Sequence, residues 1–263
     1  LGDNFTAAYT EGDNRDVVAT DSMKNFVLRK SLEWEGATVE DLLAFLGTEF
    51  LETYPQMEAV VMSADEIPFV AELVPDGDGG FAESNLLFSH GRGDYGGAQL
   101  VVERGESGPE ITDHQCGRSE MHLVKTTGSS FSRFVRDEHT TLPEREDRPL
   151  YIWLDATWRY ADGREARGTD PSRYVASEQV RDICAAVFHD LNSRSIQELV
   201  HAMGERIFER FPQLERVAFE AQNRLWDAAY ADEADPLRMV RTDPRPPYGD
   251  IGLVLTRDGV EDR

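Results

Sequence analysis

The sequence predicts an α+β fold in which antiparallel strands are covered on one face by pairs of helices. Three observations carry this reading. Short runs with period-two apolar alternation flank longer stretches with helical spacing. In the second half these runs follow the order β-β-α-α-β-β, rather than the strand–helix alternation of a parallel sheet. The first half repeats that order less one leading strand. Two domains, residues 1–110 and 111–263, are therefore expected, each with its own sheet.

The first half opens with a predicted strand, Asn4 to Thr10, and a turn at Gly12-Asp13-Asn14. A helix is expected to start at Thr20-Asp21 and to turn Met23, Phe26 and Val27 inward. A second helix begins at Thr38, with Asp41 at the capping-box position. It presents Leu42, Phe45, Leu46 and Phe50 before stopping near Pro55. Strands at Glu58 to Ala64 and Gln99 to Arg104 follow, with a Gly-rich hairpin loop at Asp76 to Gly80 between them.

In the second half, Glu120 to Thr127 alternates as a strand, and Pro149 to Tyr160 is a second one rich in aromatic and β-branched residues. The helix Ser177 to Asp190 gathers Val180, Ile183, Cys184 and Val187 on one face. The next, Ser195 to Phe211, gathers Leu199, Met203, Ile207 and Phe208, with Ser195 and Glu198 as its capping box and Pro212 as its stop. Strands at Arg216 to Glu220 and Ile251 to Thr256 complete the order. Sheets covered on one face only leave the other face bare, which calls for an oligomer.

Composition narrows the function classes. The 263 residues can bury one large core or two of ordinary size. Set against 50 Asp and Glu, 27 Lys and Arg leave a net charge of −23. That balance argues against nucleic-acid or anionic-membrane binding, which needs neutralising cations. Uncharged runs reach only eight residues, Ser84 to Gly91 and Tyr95 to Val102, too short for a transmembrane span. Two cysteines, Cys116 and Cys184, make no disulfide framework, and a reducing cytoplasm is the expected compartment. Only Lys24, Lys30 and Lys125 are lysines, all other basic residues being arginines. Such an acidic, lysine-poor chain repels itself in dilute salt, and adaptation to a salty cytoplasm is expected.

No recognised motif supplies a metal or nucleotide site. His114, Cys116 and His122 cluster, but their spacing fits no zinc pattern, and P-loop and serine-hydrolase elbow patterns are missing from the sequence. Gly91-Arg92-Gly93-Asp94 is a turn. Dispersed polar residues remain. Thr20-Asp21 reads as an N-cap, though a helix start also aims amides at an anion. Arg148, beside Asp147, is either a surface ion pair or a planar fork for a carboxylate-like or urea-like edge. Phe131 reads as core, Gln197 as solvated and Asn223 as a turn residue, and no one of them identifies a function.

Together they carry a resemblance. Gly12-Asp13-Asn14 through Thr20-Asp21-Ser22-Met23-Lys24-Asn25 looks like the Thr-Asp-x-x-Lys-Asn segment of the urate oxidases (uricases). Val124-Lys125-Thr126-Thr127 through Phe131, Arg136 to Leu142 and Asp147-Arg148 resemble that family's central signature. Asp155-Ala156-Thr157-Trp158 and Pro246-Pro247-Tyr248-Gly249 continue the match. The resemblance implies two tandem tunnelling-fold (T-fold) domains, assembled as a homotetramer around a tunnel. It implies cofactor-independent oxidation of urate by dioxygen, without metal or flavin.

It also assigns roles. Arg148 would clamp the urate anion, Gln197 the opposite edge, and Phe131 the ring face, with a further hydrogen bond from the Ile196 backbone. Thr20 would act in proton transfer, the Asp21 amide would bind the imidazole-side edge, and Asn223 would hold dioxygen or water. Thr20 and Asp21 of one subunit would face the second-half pocket of its neighbour. Two departures stand out. A lysine-bearing first strand is expected ahead of Leu1, so the chain reads as N-terminally incomplete. Arg224-Leu225-Trp226 stands where many members have a histidine, as in a bacterial branch with a Gln-Asn-Arg-x-Trp pattern. A homologue that binds purines without the proton relay is the alternative. A pterin-handling T-fold enzyme fits the fold, but such enzymes anchor the ring with a glutamate rather than an Arg–Gln pair.

Overall fold

The computed structural model describes residues 3–91, 93–168, 170–224, 226–235 and 238–261. The turn residue Arg92 and Leu225 lie outside the described residues. The architecture is α+β, with antiparallel pairing throughout the registered strand pairs. The chain forms two compact units. The first comprises Leu1–Glu66, Gly97–Cys116 and Arg159–Val175; the second comprises Ile67–Gly96, Gly117–Trp158 and Ala176–Arg263.

In the first unit, the segment expected as an opening strand is helical: a 3-10 turn at Asp3–Phe5 leads into α1 (Thr6–Thr10). Thr-Ala-Ala-Tyr is a fair helix former, and the Thr10 hydroxyl donates back to the Thr6 carbonyl at 3.1 Å. Helix α2 (Thr20–Lys30) starts where expected but buries only Phe26; Met23 and Val27 are exposed. Helix α3 (Val39–Thr53) is capped by Thr38, whose hydroxyl accepts from the Asp41 amide at 3.2 Å. Its buried face packs on β1 (Ala59–Asp65), which pairs with β4 (Tyr95–Gly105). The helix comes close: a Cβ on Gly47 would lie 2.7 Å from the Val102 side chain, so the contact needs glycine. Phe26, Leu46, Phe50, Leu51, Val18 and Val102 form the core there.

In the second unit, the loop at Asp76 to Gly80 closes a hairpin of β2 (Phe69–Pro75) and β3 (Phe81–His90). Asp76 Oδ1 accepts from the amides of Asp78 and Gly80, both at 2.9 Å, and Gly77 and Gly79 take left-handed conformations. The hairpin leaves Phe69, Leu73, Phe81 and Leu86 more than half exposed. Strand β5 (Gly108–Lys125) is one 18-residue strand that contributes to both units, far longer than the Glu120 to Thr127 segment read from alternation. Its successor β6 (Leu150–Tyr160) alternates buried and half-buried residues along its whole length.

Helices α4 (Ser177–Asp190) and α5 (Ile196–Arg210) pack on each other, and α5 lies on β7 (Leu214–Arg224) and β10 (Ile251–Thr256). Here too a glycine sets the approach, since a Cβ on Gly204 would fall 2.1 Å from a Leu255 methyl. The short strands β8 (Ala228–Ala231) and β9 (Met239–Arg241) pair together, and β11 (Gly259–Val260) follows β10. Strand order is β1-β4-β5 in the first unit and β5-β6-β7-β10-β11 in the second. The helix-free face in the second unit is not apolar. There Trp153 is stacked on His122 at 4.1 Å and on the Arg224 guanidinium at 3.2 Å.

Candidate active site

The segment between β5 and β6 builds the centre of the site. Asp147 anchors it: Oδ2 accepts from the Thr127 hydroxyl at 2.6 Å and Oδ1 from the Gly128 amide at 2.7 Å. The Thr127 hydrogen bond, with help from the Gly128 amide, holds the Asp147 carboxyl below the usual carboxylate range. Arg148 N donates to the Ser129 carbonyl at 2.8 Å, and Phe131 exchanges two backbone hydrogen bonds with Arg145, at 2.8 and 2.9 Å. This small ladder places Phe131 against Arg148, whose Cζ stands 5.6 Å from the ring centroid.

Arg148 is half-buried and forms no ion pair among the described residues; Asp147 is engaged elsewhere. Its Nε has no hydrogen-bond partner, and burial lowers the guanidinium pKa from its ordinary value. The surface ion-pair reading is thereby corrected. A partly desolvated guanidinium near an aromatic ring has the chemistry to receive a flat anion.

The same segment is tied to the start of α5. Ser129 and Ser193 are both fully buried and bridge in parallel, and Ser130 N donates to the Ser193 carbonyl at 2.7 Å. Two residues on, the Ser195 hydroxyl accepts from the Glu198 amide at 3.1 Å. Glu198 reaches back to the Arg194 amide at 2.7 Å rather than to Ser195, a shifted capping box, and Arg194 lowers its pKa. Ile196 and Gln197 thus occupy the first two helical positions, where geometry leaves amides without an i−4 carbonyl. The Ile196 side chain is buried and that of Gln197 is exposed.

Asn223 is half-buried, next to the end of β7, and makes no hydrogen bond with the other four. Phe131 and Arg148 are therefore in direct contact. Ile196 and Gln197 are joined to them through the serine ladder.

Thr20 and Asp21 belong to the first unit. The N-cap of α2 is Ala19, which makes no side-chain cap bond, so Thr20 and Asp21 are the first two helical residues and not the cap. Both are exposed; the Asp21 carboxylate accepts from Lys24 at 2.8 Å and Asn25 at 2.9 Å. Their amides remain in the anion-facing position.

The His114, Cys116 and His122 group enters separate contacts: His114 Nε2 accepts from the Tyr160 amide, Cys116 is buried beside Glu40, and His122 stacks on Trp153. Lys125 ties down the end of α4, donating to the carbonyls of His189 and Leu191 at 2.9 Å each. Sequence reasoning missed Phe134, stacked on Phe131 at 5.0 Å, and the Ser129–Ser193 bridge. The Phe131-x-x-Phe134 spacing was the available signal.

With this geometry in place, comparison with known proteins is informative. A family profile described as Uricase matches residues 3–84 and 114–252. The chain is 50% identical to a uricase of Halalkalicoccus jeotgali, covering 93% of this chain and 80% of that one. It is 49% identical to a uricase of Haloferax volcanii, over 100% of this chain and 85% of that one. Among solved structures, a uricase from Bacillus fastidious superposes with a TM-score of 0.92 at 42% identity, covering 98% of this chain and 80% of that one. Urate oxidase from Bacillus sp. TB-90 gives 0.91 at 41% identity, over 98% and 85%. By the matched profile and by these relatives, the chain belongs to the uricase family.

Proposed function

We propose that this enzyme oxidises urate with dioxygen and water, giving 5-hydroxyisourate and hydrogen peroxide, without metal or flavin. Urate loses two electrons and dioxygen gains them with two protons, so both dioxygen atoms leave as peroxide and the new hydroxyl comes from water. The electron-rich urate anion is its own reductant. What the protein supplies is deprotonation, positioning and electrostatics.

The observation that carries this reading is the half-buried Arg148 guanidinium, with an unpartnered Nε, standing beside the face of Phe131. Arg148 clamps the anion through parallel N–H bonds, Phe131 stacks on the purine, and Gln197 meets the opposite edge. The Ile196 amide adds a hydrogen bond from the helix start. Asn223 holds dioxygen or water above the ring. Thr20 moves the proton and the Asp21 amide binds the imidazole-side edge.

These roles fit a homotetramer of tandem T-fold domains, divided near residue 110, with sites shared between subunits. The exposed apolar side chains of the β2–β3 hairpin support association. Urate absorbance loss and peroxide release should persist after exhaustive chelation, and Arg148→Ala should weaken urate binding on the order of 10- to 100-fold. Activity lost on chelation and restored by one metal would overturn the cofactor-free reaction.

A further inference from the structure

We propose that Phe134 is a positioning residue that backs Phe131 from the face opposite the purine. The proposal rests on the assignment of Phe131 and Arg148 to the urate pocket. Four side chains are linked pairwise: Arg136 Cζ lies 5.5 Å over Phe134, Phe134 is stacked on Phe131 at 5.0 Å and 15°, and Arg148 Cζ is 5.6 Å from Phe131. A phenyl ring has two faces, and Phe134 takes one.

Arg148 stands near the same ring at a distance that is informative. Elsewhere in this protein, Arg224 rests flat on Trp153 at 3.2 Å. Arg148 stands off by 5.6 Å, too far to be that kind of stack. In the proposed pose its N–H fork meets the edge of a flat ligand stacked on the face of Phe131 away from Phe134. Phe134 on the far side then fixes the plane of Phe131, and with it the height at which the purine meets Arg148.

The backbone is shaped for this stack. Arg133 adopts φ 62°, a left-handed conformation that L-residues with a Cβ disfavour, and its amide donates to Glu144 Oε1 at 3.1 Å. That turn directly precedes Phe134. Strain of this kind gathers where a side chain must be aimed.

The test is the dissociation constant of urate under anaerobic conditions, together with aerobic KM and kcat. Phe134→Ala should raise the dissociation constant and KM by roughly three- to tenfold, with kcat changed less than about twofold. Phe134→Tyr, which keeps the ring, should restore wild-type binding, and Arg136→Gln should give a smaller rise of about twofold. Thermal melts identify any unfolded variant; Phe134→Leu replaces the alanine variant should that one fail to fold.

Tighter urate binding by the alanine variant would overturn the proposal, because Phe134 would then compete for the purine's face. Unchanged binding, with Arg148→Ala still weakening it, would overturn the backing role while leaving the pocket assignment standing. If Arg148→Ala also left binding unchanged, both would fall.

Discussion

Arg148 and Arg224 show how far one residue type can be read from its neighbours in sequence. Beside Asp147, Arg148 suggests an ion pair, yet Asp147 is occupied by Thr127 and Gly128, and the guanidinium is left for Phe131. No spacing rule reveals this, because the competing hydrogen bonds come from 19 and 20 residues away in the chain. A second buried group offers a direct test. Glu40, on α3, is 4% exposed, accepts from the Tyr174 hydroxyl at 3.2 Å, and lies against Cys116, with Glu66 adding repulsion. Burial raises its pKa above the ordinary value of 4.5, and hydrogen bonds from its own backbone amide, Cys116 and Tyr174 offset only part of that. Below that value both folded and unfolded chains hold the proton and nothing is lost. Above it the unfolded chain ionises first, so stability falls as pH rises toward the folded pKa of Glu40. Glu40→Gln keeps the acceptor for Tyr174 and removes the ionisation. Its melting temperature should match wild type in acid and exceed it by about 2–4 °C near neutrality, the shift that ~1 kcal/mol produces in a chain of this size. Parallel curves across the pH range would refute a raised Glu40 pKa.

At the scale of elements, legibility followed the strength of the local signal. Helices α3, α4 and α5, and strands β6 and β10, match their sequence readings within a residue or two, because capping side chains and unbroken periodicity agree there. The opening segment failed: seven residues with one buried side chain, Phe5, carry too little pattern to separate strand from helix. Strand β5 was read short because His114, Gly117 and Arg118 break the alternation, although the strand continues through them. Of the β2–β3 hairpin only the loop was visible, since its strands expose apolar residues and so lack a clean alternation. The candidate site was legible as separate residues but not as an arrangement: the link from Ser129 to Ser193 spans 64 residues and uses side chains common in any loop. The cap of α5 connects element stability to function. Ser195→Ala should cost about 1 kcal/mol, read by chemical denaturation. Because Ile196 and Gln197 follow it directly, urate affinity should fall as well. A stability loss with unchanged affinity would show that the helix start does not contact the purine.

The whole molecule is governed by its charge. Fifty acidic residues face 27 basic ones, and many of the ion pairs are local and exposed, such as Lys24 with Asp21 at 2.8 Å. Such pairs contribute little, typically ~0–1 kcal/mol, and salt weakens them. The buried set is different. Arg118 and Arg181 converge on Asp94 at 2.9 and 3.0 Å, where salt hardly reaches. What salt chiefly changes is therefore the excess of 23 negative charges, which repel one another across the surface when the screening length is long. Raising ionic strength from about 0.01 to 1 M shortens that length from about 30 to 3 Å, so the repulsion is removed while the Asp94 cluster persists. The net sign is stabilising. The melting temperature should climb with potassium chloride, most steeply at the dilute end where the screening length changes fastest. An uncharged osmolyte such as sucrose, which acts by exclusion and not by screening, should lack that steep dilute-range rise. A flat response to potassium chloride would mean that acidity imposes no folding cost here, and that the scarcity of lysine has no origin in salt.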